Sequence, residues 1–252
     1  VHTWLGHARG VSCARIFPGT GHLMLSGSLD CRVKIWSVLG DRSCQRTYIG
    51  HNKPIRDLTF SSTDAGGHFA SAAFDGFCKH WDTETGQCVV AIEHRRQPTC
   101  IRYCQRRPDL LLIGGSDGKI GLWDLRMMRV AREYSAHQDA VNSVTWLPGD
   151  DELFVSTSDD KTVRVWRLVE EKAPLQTLQK PDVYDAYPAV AVHPTEPALL
   201  FSSTATSAIL PMTVAGGTSS VILRPRHRSI VGHQTGGNVC RPSVSPDGRI
   251  VA

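Results

Sequence analysis

The chain has 252 residues, 41% of them hydrophobic and 21% charged, with a formal net charge of +4. These are ordinary values for a globular protein that buries a real core, and no apolar run approaches the roughly 20 residues of a membrane-spanning helix. The mild basic bias permits a polyanionic neighbour without requiring one.

In chain order, "VHTW" (Val1 to Trp4) reads as the last strand of a unit whose other strands are not in this chain. The first full unit opens near residue 6, at Gly6-His7, passes through "LSGSLD" into a tight turn and ends on "RVKIW" at Trp36. The second opens near residue 50, at Gly50-His51, and its "KPIRDLTF" reads as a strand. The third opens near residue 93, at Glu93-His94, and contains the dense aliphatic run "LLLI", Leu110 to Ile113, which has strand length. The fourth opens near residue 136, at Ala136-His137, with strands in "DAVNSVTW" and "TVRVW" around the turn "VSTSDD". β-Branched residues, alternation and Asp or Gly at the turns favour strand and hairpin throughout, and no segment keeps a 3.6-residue apolar period.

The units are in phase. His7, His51, His94 and His137 recur every 43 or 44 residues, and Trp36, Trp81, Trp123 and Trp166 every 42 to 45. Six residues before each tryptophan stands an aspartate: Asp30, Asp75, Asp117 and Asp160. Three residue types kept in register four times mark an internal repeat. A fifth unit, from about residue 180, is degenerate, with Thr206 in the aspartate place, Met212 in the tryptophan place and Pro211 inside its presumed third strand. Proline lacks a ladder donor and belongs at an edge or a bulge. A sixth unit opens near residue 232, at Gly232-His233, and stops inside "SPDGRIVA".

A repeat of about 43 residues with GH early and Trp-Asp late resembles the WD repeat, the blade of a β-propeller. The resemblance implies an all-β fold, here incomplete, with about five of the family's usual seven blades and part of a sixth. It also implies a hydrogen-bonded chain in each blade, from tryptophan indole to hydroxyl to imidazole to carboxylate. Carried over, the sets are His7, Ser26, Asp30 and Trp36; His51, Ser71, Asp75 and Trp81; and His137, Ser156, Asp160 and Trp166. The third blade has His94, Asp117 and Trp123 but Ile113 at the hydroxyl position, so its chain is expected to be broken.

The wording between the repeat marks is more specific. "DCRVKIWSVLGDRSCQRTYIGH", "SAAFDGFCKHWDTETGQC", "FVSTSDDKTVRVW" and "GHQTGGNVCRPSVSPDG" resemble the pre-mRNA-processing factor 17 family of WD-repeat splicing factors. The likeness is good to about residue 192 and fades through the degenerate unit. It implies a nuclear, non-enzymatic scaffold of the spliceosome that acts around exon ligation, beside spliceosomal proteins, small nuclear RNA and pre-mRNA. No membrane, small-molecule substrate, cofactor or metal is implied. Arginines that could meet RNA phosphates or protein are Arg95, Arg96, Arg102, Arg106 and Arg107, and then Arg224, Arg226 and Arg228; the bland alternative is a solvated basic surface.

Two other classes compete with this reading. Trp123-Asp124-Leu125-Arg126 matches the WDxR pattern of propellers that serve as substrate receptors of cullin-RING ubiquitin ligases, a short pattern common by chance. An enzyme is disfavoured because the histidines, serines and aspartates that pattern together recur once per blade, and residues duplicated in phase are poor candidates for one active site. The eight cysteines form no CxxC pair and read as buried or half-buried free thiols. Because closure is what removes exposed strand edges, residues 1–252 in isolation are expected to aggregate. Light scattering on that segment checks this, and a monodisperse, cooperatively melting sample would contradict it.

Overall fold

The computed structural model describes residues 3–17, 21–61, 67–104, 106–147, 152–169, 173–179, 189–193, 196, 199–203, 208–215, 222–225, 230–231, 242–245 and 249–251. Their regular secondary structure is entirely β, and no helix among them is long and apolar enough to cross a membrane. The first sheet comprises β1 (Val11–Ile16), β2 (Leu23–Ser28), β3 (Val33–Ser37) and β4 (Cys44–Tyr48). The second comprises β5 (Ile55–Phe60), β6 (His68–Ala73), β7 (Phe77–Asp82) and β8 (Cys88–Glu93). The third comprises β9 (Pro98–Tyr103), β10 (Leu110–Gly115), β11 (Lys119–Asp124) and β12 (Arg129–Ser135). The fourth comprises β13 (Val141–Trp146), β14 (Leu153–Ser158), β15 (Val163–Arg167) and β16 (Gln176–Leu178). In the fifth, β17 (Ala189–Val192), β18 (Leu199–Ser203), β19 (Ala208–Ala215) and β20 (Ile222–Pro225) follow in order, and β21 (Ile230–Val231) also pairs with β19. Each sheet is a meander in chain order, the blade unit of a β-propeller. Thr3 and Trp4 lie outside any strand, and Val1, His2, Thr206, Gly232 and His233 lie outside the described residues.

Two compact units divide the chain, one of residues 1–115 with 122–131 and the other of 116–121 with 132–252. In the first, Leu25, Ile35, Tyr48, Ile55, Leu58 and Phe69 build a core that both first and second sheets supply. A second core joins Ala70, Ala72 and Cys78 to Ile101, Leu111 and Ile113. In the second unit, Val155, Val163, Val165, Leu200, Leu210 and Met212 form one cluster. β10 and β14 are buried at every residue, and the in-out alternation expected for "RVKIW" is lost: Lys34 is also buried, its ammonium donating to Thr47 Oγ1 at 2.7 Å.

Pro211 falls in the middle of a central strand rather than at an edge. β19 pairs continuously with β18, with Phe201 opposite Pro211. On its other side it pairs with β21 through Ala208 and Ile209 and with β20 through Met212 to Ala215. The outer ladder is thus split where the proline has no N–H to offer. Among the cysteines, Cys13, Cys78, Cys100 and Cys104 are buried free thiols, whereas Cys44 and Cys88 are exposed because each begins an outermost strand.

Within the first unit one carboxylate ties three sheets together. Asp57 on β5 is fully buried; its Oδ1 accepts from Arg15 Nη2 of β1 at 2.9 Å and its Oδ2 from Arg102 Nη1 of β9 at 2.7 Å. The Ile101 amide donates to Oδ2 as well, at 3.2 Å. Close approach of the first two sheets also requires Gly27, where a Cβ would stand 2.5 Å from Ile55 Cγ2. Asp57→Ala in the full-length protein should cost about 3 kcal/mol, because it strands two guanidinium groups at a sheet junction. Chemical denaturation checks this, and a loss within the range of an exposed substitution would show that the junction does not depend on the ion pairs.

Candidate functional site

In the first, second and fourth sheets the repeat-marking side chains meet at the end where the chain enters the innermost strand. In the first sheet Trp36 Nε1 donates to Ser26 Oγ at 2.7 Å, Ser26 Oγ lies 2.7 Å from His7 Nε2, and His7 Nδ1 lies 2.9 Å from Asp30 Oδ2. In the second the Trp81–Ser71, Ser71–His51 and His51–Asp75 distances are 2.8, 2.7 and 2.8 Å. In the fourth the Trp166–Ser156, Ser156–His137 and His137–Asp160 distances are 2.7, 2.7 and 2.8 Å. One proton arrangement satisfies all of them. The indole donates to the hydroxyl, the hydroxyl donates to Nε2, and Nδ1–H donates to an ionised carboxylate.

The carboxylates also gather main chain. Asp30 accepts from the Ala8 and Arg32 amides, each at 3.0 Å, and Asp75 from the Asn52 and Phe77 amides at 3.1 and 3.0 Å. Asp160 accepts from the Gln138 and Thr162 amides, from Thr162 Oγ1 at 2.6 Å and from Arg164 Nη2 at 3.4 Å. Thr162 and Arg164 are not among the repeat marks; they stand two and four residues after Asp160, just before and just inside β15. Asp159, the neighbour of Asp160, is exposed and accepts from Asn142 Nδ2 at 2.6 Å. The residue after each repeat aspartate takes left-handed backbone: Cys31, Gly76, Gly118 and Lys161. At Gly118 a Cβ would stand 2.6 Å from the His137 carbonyl oxygen, so glycine alone fits.

Electrostatics follow the same arrangement. Burial holds the His51 and His137 imidazoles below their ordinary value of 6.5, outweighing the pull of Asp75 and Asp160. Burial pushes the Asp160 carboxyl up, but hydrogen bonds from Thr162 and His137 prevail and leave it below the ordinary carboxylate value. Asp30 and Asp75 are likewise lowered, by bonds from His7 or His51 and from main-chain amides that overcome burial.

The third sheet is built differently. Ile113 is buried at the hydroxyl position, and half-buried Trp123 packs with Val90 and Leu125 onto the Ile101–Leu111 core. His94 Nδ1 donates to the Arg96 carbonyl at 3.0 Å, and Asp117 Oδ1 accepts from the Lys119 amide at 3.3 Å. The nearby arginines do not form one cluster. Arg95 and Arg96 are exposed before β9, Arg102 is engaged by Asp57, and exposed Arg106 and half-buried Arg107 follow β9. A six-residue strand puts roughly 20 Å between the two ends. Arg224 is exposed on β20, while Arg226 and Arg228 lie outside the described residues. Arg126 is 75% exposed at its side chain, with its guanidinium held by Asp109 at 2.9 Å and Asp124 at 3.8 Å.

A cavity of about 530 Å³ lies against the first sheet, lined by Trp4, Leu5, Met24 and Trp36 among others. Among the polar side chains that line it, Ser26 is buried, and its oxygen accepts the Trp36 indole proton as well as bonding His7. No group of three or more metal-ligating side chains occurs among the described residues.

Asp160→Ala should destabilise the protein by about 1–3 kcal/mol, since it leaves buried donors unmet, and Asp159→Ala by much less. Equal losses in denaturant titrations of the two variants would refute the division of roles within this doublet. The pH dependence has a defined sign. Native His51 and His137 hold fewer protons than their unfolded counterparts once pH drops below 6.5, so stability is complete above that value and declines on acidification. The lowered aspartates add a second decline below their ordinary value of 3.8. Thermal melts from neutral pH towards pH 5 should show a falling midpoint, and a flat or rising midpoint would contradict this.

Similarity to known proteins agrees with the geometry. The family model "WD domain, G-beta repeat" matches residues 1–37, 42–82 and 128–167. The chain is 38% identical over 249 residues to pre-mRNA-processing factor 17 of Mus musculus, covering 98% of this chain and 41% of that protein. It is 29% identical to pre-mRNA-processing factor 17 of Saccharomyces cerevisiae, covering 100% of this chain and 54% of that protein. WD repeat-containing protein 25 of Mus musculus is 26% identical over 91% of this chain and 42% of its own length. The chain thus spans about half the length, or less, of these relatives. With five repeat-built meanders and this likeness along nearly its whole length, the chain belongs to the pre-mRNA-processing factor 17 family of WD-repeat β-propellers.

Proposed function

We propose that the chain is part of a non-enzymatic scaffold of the spliceosome that acts in the nucleus around the second catalytic step, exon ligation. One observation carries the reading. The WD-repeat model matches three stretches, yet the likeness to pre-mRNA-processing factor 17 continues through 98% of the chain. It therefore includes the fifth unit, where Met212 replaces the repeat tryptophan and the repeat grammar is lost. An identity of 38% over that span, against 26% to another WD-repeat protein aligned over 91% of the chain, exceeds what the blade alone imposes.

The side-chain chemistry supports a scaffold. The histidines, serines and aspartates share the hydrogen-bond order of a hydrolase triad, but the set recurs in three sheets, and each serine is buried with its oxygen also accepting a tryptophan indole proton. Spliceosomal proteins, small nuclear RNA and pre-mRNA are the partners, with surfaces rather than pockets as the means of contact.

Immunodepletion of the full-length protein from a splicing extract should leave cleaved 5′ exon and lariat intermediate accumulating, and add-back should restore ligated exons. Unchanged intermediates and products would sink the assignment. In a pull-down at moderate salt, splicing proteins and small nuclear RNAs carry the reading; a cullin adaptor in their place, lost on Arg126→Ala, overturns it.

A further inference from the structure

Five cations at one end of the first unit have no partner. Arg9, Arg32, Lys53, Arg95 and Arg96 are exposed, and among the described residues no side-chain hydrogen bond or ion pair engages any of them. Their shared position follows from the topology. β1 and β5 run side by side in the same direction, with Ser12 Oγ on the Ile55 carbonyl at 2.7 Å and Arg15 on Asp57 at 2.9 Å, and β9 presents Arg102 to the same carboxylate. Arg9 precedes β1, Lys53 precedes β5, and Arg95 and Arg96 precede β9, so all four sit where the innermost strands begin. Arg32, in the β2–β3 turn, joins them: Leu29 N donates to Gly10 O at 2.9 Å and Ser28 Oγ to Arg9 O at 3.2 Å.

Little negative charge opposes them. Glu93 is exposed at this end, but Asp30 and Asp75 face inward onto His7 and His51, each with 7% of its side chain exposed. Arg15 and Arg102 share the buried carboxylate of Asp57 on the innermost strands.

A flat platform lies among the cations. The Arg56 guanidinium stands over the Phe74 ring at 5.7 Å from its centroid, and both residues are half-buried. Phe74 occupies the β6–β7 turn, its amide bonded to the Pro54 carbonyl at 3.0 Å, which keeps it beside Lys53. The corresponding turns of the first and fourth sheets have Leu29 and Asp159 there. An aromatic and guanidinium pair offers a stacking face, and unpaired cations around it offer phosphate contacts, which is the combination that unstacked nucleotides use. An acidic protein would use the cations but leave the platform idle, and duplex RNA hides its bases.

We propose that this end of the first unit binds single-stranded RNA, with phosphates on Arg9, Arg32, Lys53, Arg95 and Arg96 and a base against the Arg56–Phe74 pair. The choice of RNA as the polyanion rests on the splicing reading. The probe is a fluorescent single-stranded RNA of mixed sequence, titrated with the full-length protein at several salt concentrations. Replacing Arg9, Lys53, Arg95 and Arg96 together by Gln should weaken binding at least about 10-fold and lower the log–log salt slope by up to roughly 3, at about 0.7 for each phosphate no longer neutralised. Phe74→Leu should weaken binding and leave the slope unchanged. Arg42→Gln with Arg46→Gln, exposed elsewhere in the same unit, should change neither.

Wild-type affinity and slope in the fourfold variant would overturn the proposal. So would equal affinity for duplex RNA, or cross-links from this end to protein alone in assembled complexes. The splicing reading fails separately. If the fourfold variant loses RNA while depletion leaves splicing unchanged, the surface stands and the splicing role falls; if depletion blocks exon ligation while the variant binds RNA normally, the reverse holds.

Discussion

A single serine oxygen joins the two halves of each hydrogen-bonded chain in the first, second and fourth sheets. It accepts the indole proton and gives its own to an imidazole, so Ser26, Ser71 and Ser156 each stand between a tryptophan on β3, β7 or β15 and a histidine on the connector ahead of the innermost strand. The arrangement works with a neutral imidazole and an ionised carboxylate, and burial of the ring together with the amides around the carboxylate enforces that pair of states. The consequence reaches the surface. Asp30 holds the Ala8 and Arg32 amides, and Asp75 holds the Asn52 amide, so the buried chain sets the loops that carry Arg9, Arg32 and Lys53. Fold and basic surface are two ends of one network.

The third sheet reaches the same architecture without that network. Its β10 is aliphatic, and Ile113 fills the space of a hydroxyl, so Trp123 contributes area and no buried hydrogen bond. His94, with no serine to accept from, bonds the Arg96 carbonyl and shapes the loop with Arg95 and Arg96 directly. The fifth sheet departs further, with buried Met212 in the tryptophan place and an outer ladder split around Pro211. Apolar burial substitutes for polar satisfaction because both remove the cost of a buried, unpaired donor.

Contacts between sheets of the first unit rest on a different logic. Asp57 is charged, fully buried and shared by Arg15 and Arg102, each with part of its guanidinium in water. Such a bridge fixes register more than it adds net stability, since desolvation offsets much of the attraction. It aligns the starts of β1, β5 and β9, and that alignment gathers the unpaired cations at one end.

Local rules and phase, both properties of a one-dimensional string, made much of this protein legible in its sequence. The all-β class, the residues in phase and the odd place of Ile113 could be read because a blade repeats its residue types at a spacing near 43. Tertiary structure alone decided which groups meet across that spacing. Nothing in the string pairs Asp57 with Arg15 and Arg102. Hydrogen bonds and ion pairs act over about 3 Å, and only packed sheets bring residues more than 40 positions apart within that range.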